Sequence, residues 1–305
     1  MRVMSAKTFF LFICAFMFLA AVSNASAQQP PAAVISDPAP DKAYPATMEA
    51  PDIPSRAASD RPTMLHAIIY IASGAGPHPT VILMHGFPGN ERNFDLAYSI
   101  RRAGWNVLVP HYRGAWGSQG TFSFANAIED TQACIQFLRD PANATKYRIA
   151  AKEIVLIGHS MGGFMVSRAA ARDPNILGVA MIAAWDIGLS KLPDMKHRGE
   201  AFKDDSPRLA GTTPESLVAE IEKDAARLNY LDDAAALKDR PVLILEADDG
   251  NLTNNHSMAE ALRKAGNKQV TEIHMTTDHG FSDHRIALQS AVIDWLGTFQ
   301  MTKAN

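Results

Sequence analysis

The sequence predicts an α/β fold, with a mostly parallel central sheet and helices on both of its faces. Three observations point that way. Strand-like and helix-like segments alternate from residue 64 onward, and repeated strand–helix units require crossover helices that cover the sheet. Runs such as "TVILM" and "PVLILEA" are apolar at consecutive positions, as in strands buried on both faces. A glycine-rich turn, "GHSMGG" at 158–163, joins one such run to a helix-like stretch.

The chain opens on a different kind of segment. Arg2 and Lys7 precede the uncharged run "TFFLFICAFMFLAAV", and "ASA" at 25–27 supplies a small-residue cleavage site, which is the order of a signal peptide. The run of about 15 residues falls short of the roughly 20 that a membrane helix needs. Cys14 lacks the small residues that precede a lipid-modified cysteine. The expectation is an exported protein, secreted or periplasmic, with no integral membrane association once residues 1–27 are removed. Residues 28–62 are rich in proline and bury little apolar surface, so a disordered arm is expected there.

The folded domain is expected over 63–305. "MLHAIIYIAS" reads as a strand, "GAGPHP" as a turn and "TVILMHG" as a buried strand. Then "NERNFDLAYSIRRAG" is amphipathic, "WNVLVPHY" is a strand, "SFANAIEDTQACIQFLRD" a helix and "EIVLIGH" a strand. "MGGFMVSRAAARDP" is a helix stopped at Pro174, "ILGVAMIAAW" a strand, and "PVLILEA", "NHSMAEALRKAG", "QVTEIHMT" and "RIALQSAVIDWLGTF" continue the alternation. The insertion 186–240 is longer than a plain strand–helix connection. It contains the helix-like "TPESLVAEIEKDAARLNYL", with Thr213 as cap ahead of Pro214. It reads either as a helical cap over the carboxyl edge of the sheet or as a surface excursion.

Beyond the leader, 27 basic and 32 acidic residues leave a net charge of −5, which offers no basic patch for nucleic acid. Cys134 is the only cysteine outside the leader, so no internal disulfide forms. It lies on one helix face with Phe124, Ala127, Ile128, Thr131, Ile135 and Leu138, which reads as a buried, inert thiol. The ten histidines show no H-E-x-x-H spacing and the cysteines no C-x-x-C, so neither a metal nor another cofactor is expected.

Gly158-His159-Ser160-Met161-Gly162 is G-x-S-x-G between a strand and a helix. In that setting the serine sits on a sharp turn, and small neighbours let strand and helix approach it. The helix N-terminus beside it offers free N–H groups and a partial positive charge. A serine hydroxyl is a weak nucleophile, so it needs a base and an orienting acid from elsewhere in the chain.

With "PTVILMHGFPGNERNF", "HYRGAWGSQGTF" and "LIGHSMGG", the chain resembles the α/β-hydrolase superfamily over nearly all of 64–300. More loosely, it resembles the branch of prolyl-oligopeptidase-type peptidases, dienelactone-hydrolase-like enzymes and related esterases. The resemblance implies Ser160 as nucleophile and His279 of "DHGF" as base, with His284 as the alternative. Asp248 and Asp249 both follow a strand in "LILEADDGN". Aligning that strand with the family's strand–HGxxD pattern puts Glu246 at the family's glycine and Asp249 at the acid. "HGFPG" at 85–89 matches the first oxyanion loop, which implies the backbone N–H groups of Phe87 and Met161 as oxyanion donors; Pro88 has none to give. His85 is structural in the family, and Arg113-Gly114 braces loops. Trp116 either lines the pocket or packs within its own loop.

The implied function is an exported serine hydrolase with a catalytic triad, cleaving carboxylic esters or related acyl bonds through an acyl-enzyme. Its substrate would be a small-molecule ester or a short peptide. One alternative is a serine exopeptidase of the prolyl-oligopeptidase type, in which Glu200, Asp204 or Asp205 would bind the substrate amine. Another is a non-catalytic binding protein on the same fold.

Overall fold

Successive residues of a strand point to opposite faces of its sheet, and here both faces are covered. The computed structural model describes residues 29–55, 63–189, 200 and 202–304; the expected leader lies outside them. The strands are β1 (Thr47–Glu49), β2 (Asp52–Ser55), β3 (Thr63–Ile71), β4 (His78–Met84), β5 (Asn106–Pro110), β6 (Ile149–His159), β7 (Gly178–Ile182), β8 (Val242–Ala247) and β9 (Val270–Met275). The helices are α1 (Ala32–Ile35), α2 (Phe94–Arg102), α3 (Phe124–Arg139), α4 (Pro141–Lys146), α5 (Met161–Arg172), α6 (Pro214–Asp224), α7 (Leu252–Lys264) and α8 (Arg285–Ala304). Ile82, Leu156, Met181 and Ile244 face a core shared with α3, α5, α6 and α7. Their neighbours Val81, Ile157, Ile182 and Leu245 face a second core with α2 and α8. That double burial is why these strands read as unbroken apolar runs.

The strand order is β1-β3-β5-β4-β6-β7-β8-β9, with β2 also paired to β3. Strands β5, β4, β6, β7, β8 and β9 run parallel, while β1, β2 and β3 pair antiparallel. The chain moves outward from β4 to β5 and then returns to place β6 on the other side of β4. Such a reversal opens a crevice at the carboxyl ends of the two strands, where ligands of open α/β sheets bind. Among the described residues, no helix is long and apolar enough to cross a membrane.

One expectation needs correction. Residues 29–55 form no disordered arm: β1 and β2 extend the sheet, Ile53 is fully buried, and Arg102 Nε donates to the Ala33 carbonyl at 2.6 Å, docking α1. The prolines do not prevent this, because a strand at the edge of a sheet tolerates a missing N–H, as at Pro54. The insertion, read from the sequence as a cap or a surface excursion, contributes to the main core. Leu217, Val218, Ile221, Leu228, Tyr230 and Leu237 are buried in the same cluster as β4, β6 and β8. Its remaining described elements are 3-10 turns at Ser206–Arg208, Ala225–Arg227 and Tyr230–Asp233.

Candidate active site

β6 ends at His159 and α5 begins at Met161, so Ser160 alone makes the turn between them. Its backbone sits at φ 56° and ψ −122°, a region that costs a non-glycine residue about 1–3 kcal/mol. Three hydrogen bonds hold it there. Ser160 N–H donates to the Ile182 carbonyl at 2.9 Å, while its own carbonyl accepts from Gly163 N–H at 2.9 Å and Trp185 N–H at 3.0 Å. The glycines answer to close approach: a β carbon on Gly158 would lie 2.1 Å from the Gly162 oxygen, and one on Gly162 2.3 Å from the Met84 oxygen. A β carbon on Gly86 would lie 3.3 Å from Ser160 Oγ, so the backbone after β4 runs directly against the serine. Met161 opens α5, where the first N–H groups have no acceptor within the helix.

The loops after β8 and β9 supply an acid and a histidine. His279 Nδ1 lies 2.5 Å from Asp249 Oδ2. Burial raises the Asp249 pKa, but the hydrogen bond with His279 and the Asn251 N–H, 2.8 Å from Oδ1, outweigh it and hold the carboxyl below its ordinary value. Asp248 turns elsewhere: its Oδ1 is 2.7 Å from His274 Nε2, with both side chains largely exposed. His284 pairs with its neighbour Asp283 at 2.9 Å. The structure therefore brings together Asp249 and His279, and leaves Asp248 and His284 in other pairs. His159 joins this pair to the serine turn, because its Nε2 donates to the His279 carbonyl at 2.8 Å and the two rings lie 4.7 Å apart. Burial lowers the His159 pKa to about 4, which keeps its ring neutral.

A family-wide sequence profile described as the alpha/beta hydrolase fold matches residues 79–221. The chain is an α/β-hydrolase-fold protein. It is similar in structure to the Pyrococcus furiosus esterase Pf2001, with a TM-score of 0.60 and 18% identity over 88% of this chain and 97% of that one. The Pyrobaculum calidifontis esterase superposes with a TM-score of 0.62 and 19% identity, covering 85% of this chain and 87% of that chain. In sequence, it is 33% identical over 150 residues to the uncharacterized protein YfhR of Escherichia coli (strain K12). That match covers 44% of this chain and 51% of YfhR, so the chain spans about half the length of the curated relatives it matches.

Within this α/β-hydrolase fold, buried polar side chains brace the loops that carry the site. Arg113 makes a buried ion pair with Asp130 at 2.6 Å, and Ser55 Oγ donates to the same carboxylate at 2.7 Å. Trp116, after β5, reaches across to the loop after β4, donating from Nε1 to the Pro88 carbonyl at 2.8 Å. His85 is buried, and burial lowers its pKa to about 4; its Nδ1 lies 2.7 Å from the Gly86 carbonyl. Asn255 on α7 clamps the end of β7, accepting from Ala184 N–H at 3.0 Å and donating to the Ala184 carbonyl at 2.9 Å. Arg285 donates to the Gly280 carbonyl and to Asn93 Oδ1, each at 2.9 Å, which ties the His279 loop to the start of α2. His159 fills a variable position of G-x-S-x-G and no motif marks Asn255 or Arg285, so the sequence reading assigned none of the three a role. Cys134 is fully buried, and burial pushes its thiol pKa well up.

Phe87 is wrapped by aromatic rings, with centroids at 5.6 Å for Phe122, 6.1 Å for Phe124, 6.4 Å for Trp185 and 5.4 Å for Phe202. Phe202 belongs to the insertion, which thus reaches the loop beside the serine. Of the insertion's acidic residues, Asp205 pairs with Arg208 at 3.2 Å, and Asp204 and Glu200 are exposed. Glu246, expected at the family's glycine, is buried, and burial together with Glu272 raises its pKa to about 6.

Proposed function

We propose that this protein is an exported serine hydrolase that cleaves carboxylic esters or related acyl bonds through an acyl-enzyme. The observation that carries the reading is the 2.5 Å Asp249–His279 contact beside a serine held at φ 56° on a strand-to-helix turn. With Nδ1 turned to Asp249, His279 has Nε2 left to take the Ser160 proton as Oγ attacks the acyl carbon. Asp249 fixes the tautomer and stabilises the imidazolium that forms. The tetrahedral oxyanion is held by the Phe87 and Met161 N–H groups, a contribution that typically amounts to about 10²–10³ in rate per donor. His279 then protonates the leaving group, and water, activated by the same histidine, releases the acyl group and restores Ser160. The aromatic wall around Phe87 favours an apolar acyl or alcohol group.

The test is a panel of p-nitrophenyl esters and aminoacyl p-nitroanilides. Esters are turned over, and Ser160→Ala lowers turnover by roughly 10⁴–10⁶ while keeping the fold. A preference for free-amine anilides would replace this reading with the exopeptidase one. Export rests on the residue order of 1–27, and the mature protein is expected to begin at Gln28; an N-terminal sequence retaining Met1 would contradict it.

A further inference from the structure

The side of the sheet that α7 covers gathers three ligand-type side chains. Val242, Ile244 and Val270 of β8 and β9 pack into the same core as Met258 and Leu262 of α7. Strand alternation puts Glu246 and Glu272 on that side as well. Glu246, His256 of α7 and Glu272 each offer one ligand atom, and the three atoms lie within 4.8 Å of one another. Glu246 is 4% exposed, and its Oε1 is buried with no hydrogen-bond partner. A buried carboxylate oxygen in that condition is costly unless a cation or a proton meets it. Arg263 does not fill that role, because its Nη1 is engaged by Glu272 Oε2 at 2.5 Å.

We propose that Glu246, His256 and Glu272 form a binding site for a divalent transition-metal cation of the zinc type, with water completing the coordination. One imidazole nitrogen and two carboxylates suit zinc, whereas calcium takes six to eight oxygens. Zinc bonds of about 2.0–2.2 Å set tetrahedral ligand atoms about 3.4 Å apart, so modest side-chain rotation closes the cluster. His256 Nδ1, now 2.7 Å from Glu272 Oε1, exchanges that contact for the metal. Its Nε2 faces Glu260 at 3.6 Å, a carboxylate placed to orient the ring as such groups do behind metal-bound histidines. Two carboxylates meet the two charges of the cation, and Arg263 keeps the second oxygen of Glu272. The spacing 246, 256 and 272 fits no linear motif, so the expectation of no metal could not register a site assembled by three separate elements. A cation there would clip α7 to β8 and β9, three residues before Asp249.

The test is zinc titration of the chelator-treated full protein, read by calorimetry and by competition with a chromophoric chelator. One zinc per chain is expected, with a Kd in the micromolar range or tighter and a rise in Tm. Glu246→Gln and His256→Asn should each weaken binding by at least about tenfold. His256 is exposed, so its variant keeps the metal-free fold by circular dichroism. His279→Ala should retain the zinc, which separates this site from the serine site. The proposal is overturned if wild type takes up no zinc, if uptake survives both substitutions, or if His279→Ala abolishes it.

Discussion

Replacing Asp249 with asparagine should disable the proposed mechanism without disturbing the fold, and the local geometry says how. The Asn251 N–H donates to Asp249 Oδ1 at 2.8 Å, whereas His279 Nδ1 meets Oδ2. In Asp249→Asn the carbonyl stays on the Asn251 N–H, and the amide NH₂ falls opposite Nδ1. Nδ1 must then accept, which moves the ring proton to Nε2, where it cannot take the proton of Ser160. The charge is lost too. A unit pair at 2.5 Å and an effective dielectric of 20 interacts with about 7 kcal/mol. The His279 side chain is 42% exposed, so water screens part of that. A remainder of about 4–5.5 kcal/mol corresponds to a 10³–10⁴-fold fall in kcat/KM. Asp248→Asn removes only an exposed contact with His274, worth at most about 1 kcal/mol, and should cost less than about fivefold. Both variants would be assayed on one p-nitrophenyl ester beside wild type, with circular dichroism as the fold control. A larger loss for Asp248→Asn would refute the reasoning and move the acid.

Further outcomes follow from other contacts. Phe202→Ala opens the wall around Phe87, so the kcat/KM ratio of a bulky to a short acyl ester should rise several-fold; an unchanged ratio would make residue 202 purely structural. Asp130→Ala removes the buried partner of the Arg113 guanidinium, leaving only the exposed Glu129 at 2.8 Å, and should cost about 3–5 kcal/mol in urea unfolding; a loss below about 1 kcal/mol would contradict the brace. Burial raises the Asp186 pKa from the usual 3.8 to about 6, so its native form holds a proton more tightly than the unfolded chain does. That contribution is complete below pH 3.8 and is lost as pH rises through about 6. Wild type should therefore lose up to about 3 kcal/mol relative to Asp186→Asn between pH 4 and 7; parallel pH–stability curves would rule this out.

Features written in contiguous residues were legible in the sequence. The serine turn was legible because strand, glycines and helix adjoin it, and β4, β6, β7 and β8 were legible because burial on both faces demands unbroken apolar runs. Choosing between Asp248 and Asp249 needed a family pattern, since both leave β8 together and only the loop's path decides which one meets His279. The ordered segment 29–55 was missed because its proline content hid two edge strands whose partner, β3, comes later in the chain. Asn255, Arg285 and the Glu246–His256–Glu272 group were invisible for a related reason. Each acts across elements that only folding brings together, at spacings that carry no periodic signal.

The central claim is that Ser160 carries the acyl group. A p-nitrophenyl ester mixed rapidly with the enzyme, quenched in acid and read by intact-mass and peptide-mapping spectrometry tests it directly. The account predicts one acyl group per chain, located on Ser160 and formed with the burst of p-nitrophenol, with no adduct in Ser160→Ala. An adduct on another residue, or ester hydrolysis undiminished in Ser160→Ala, would contradict it.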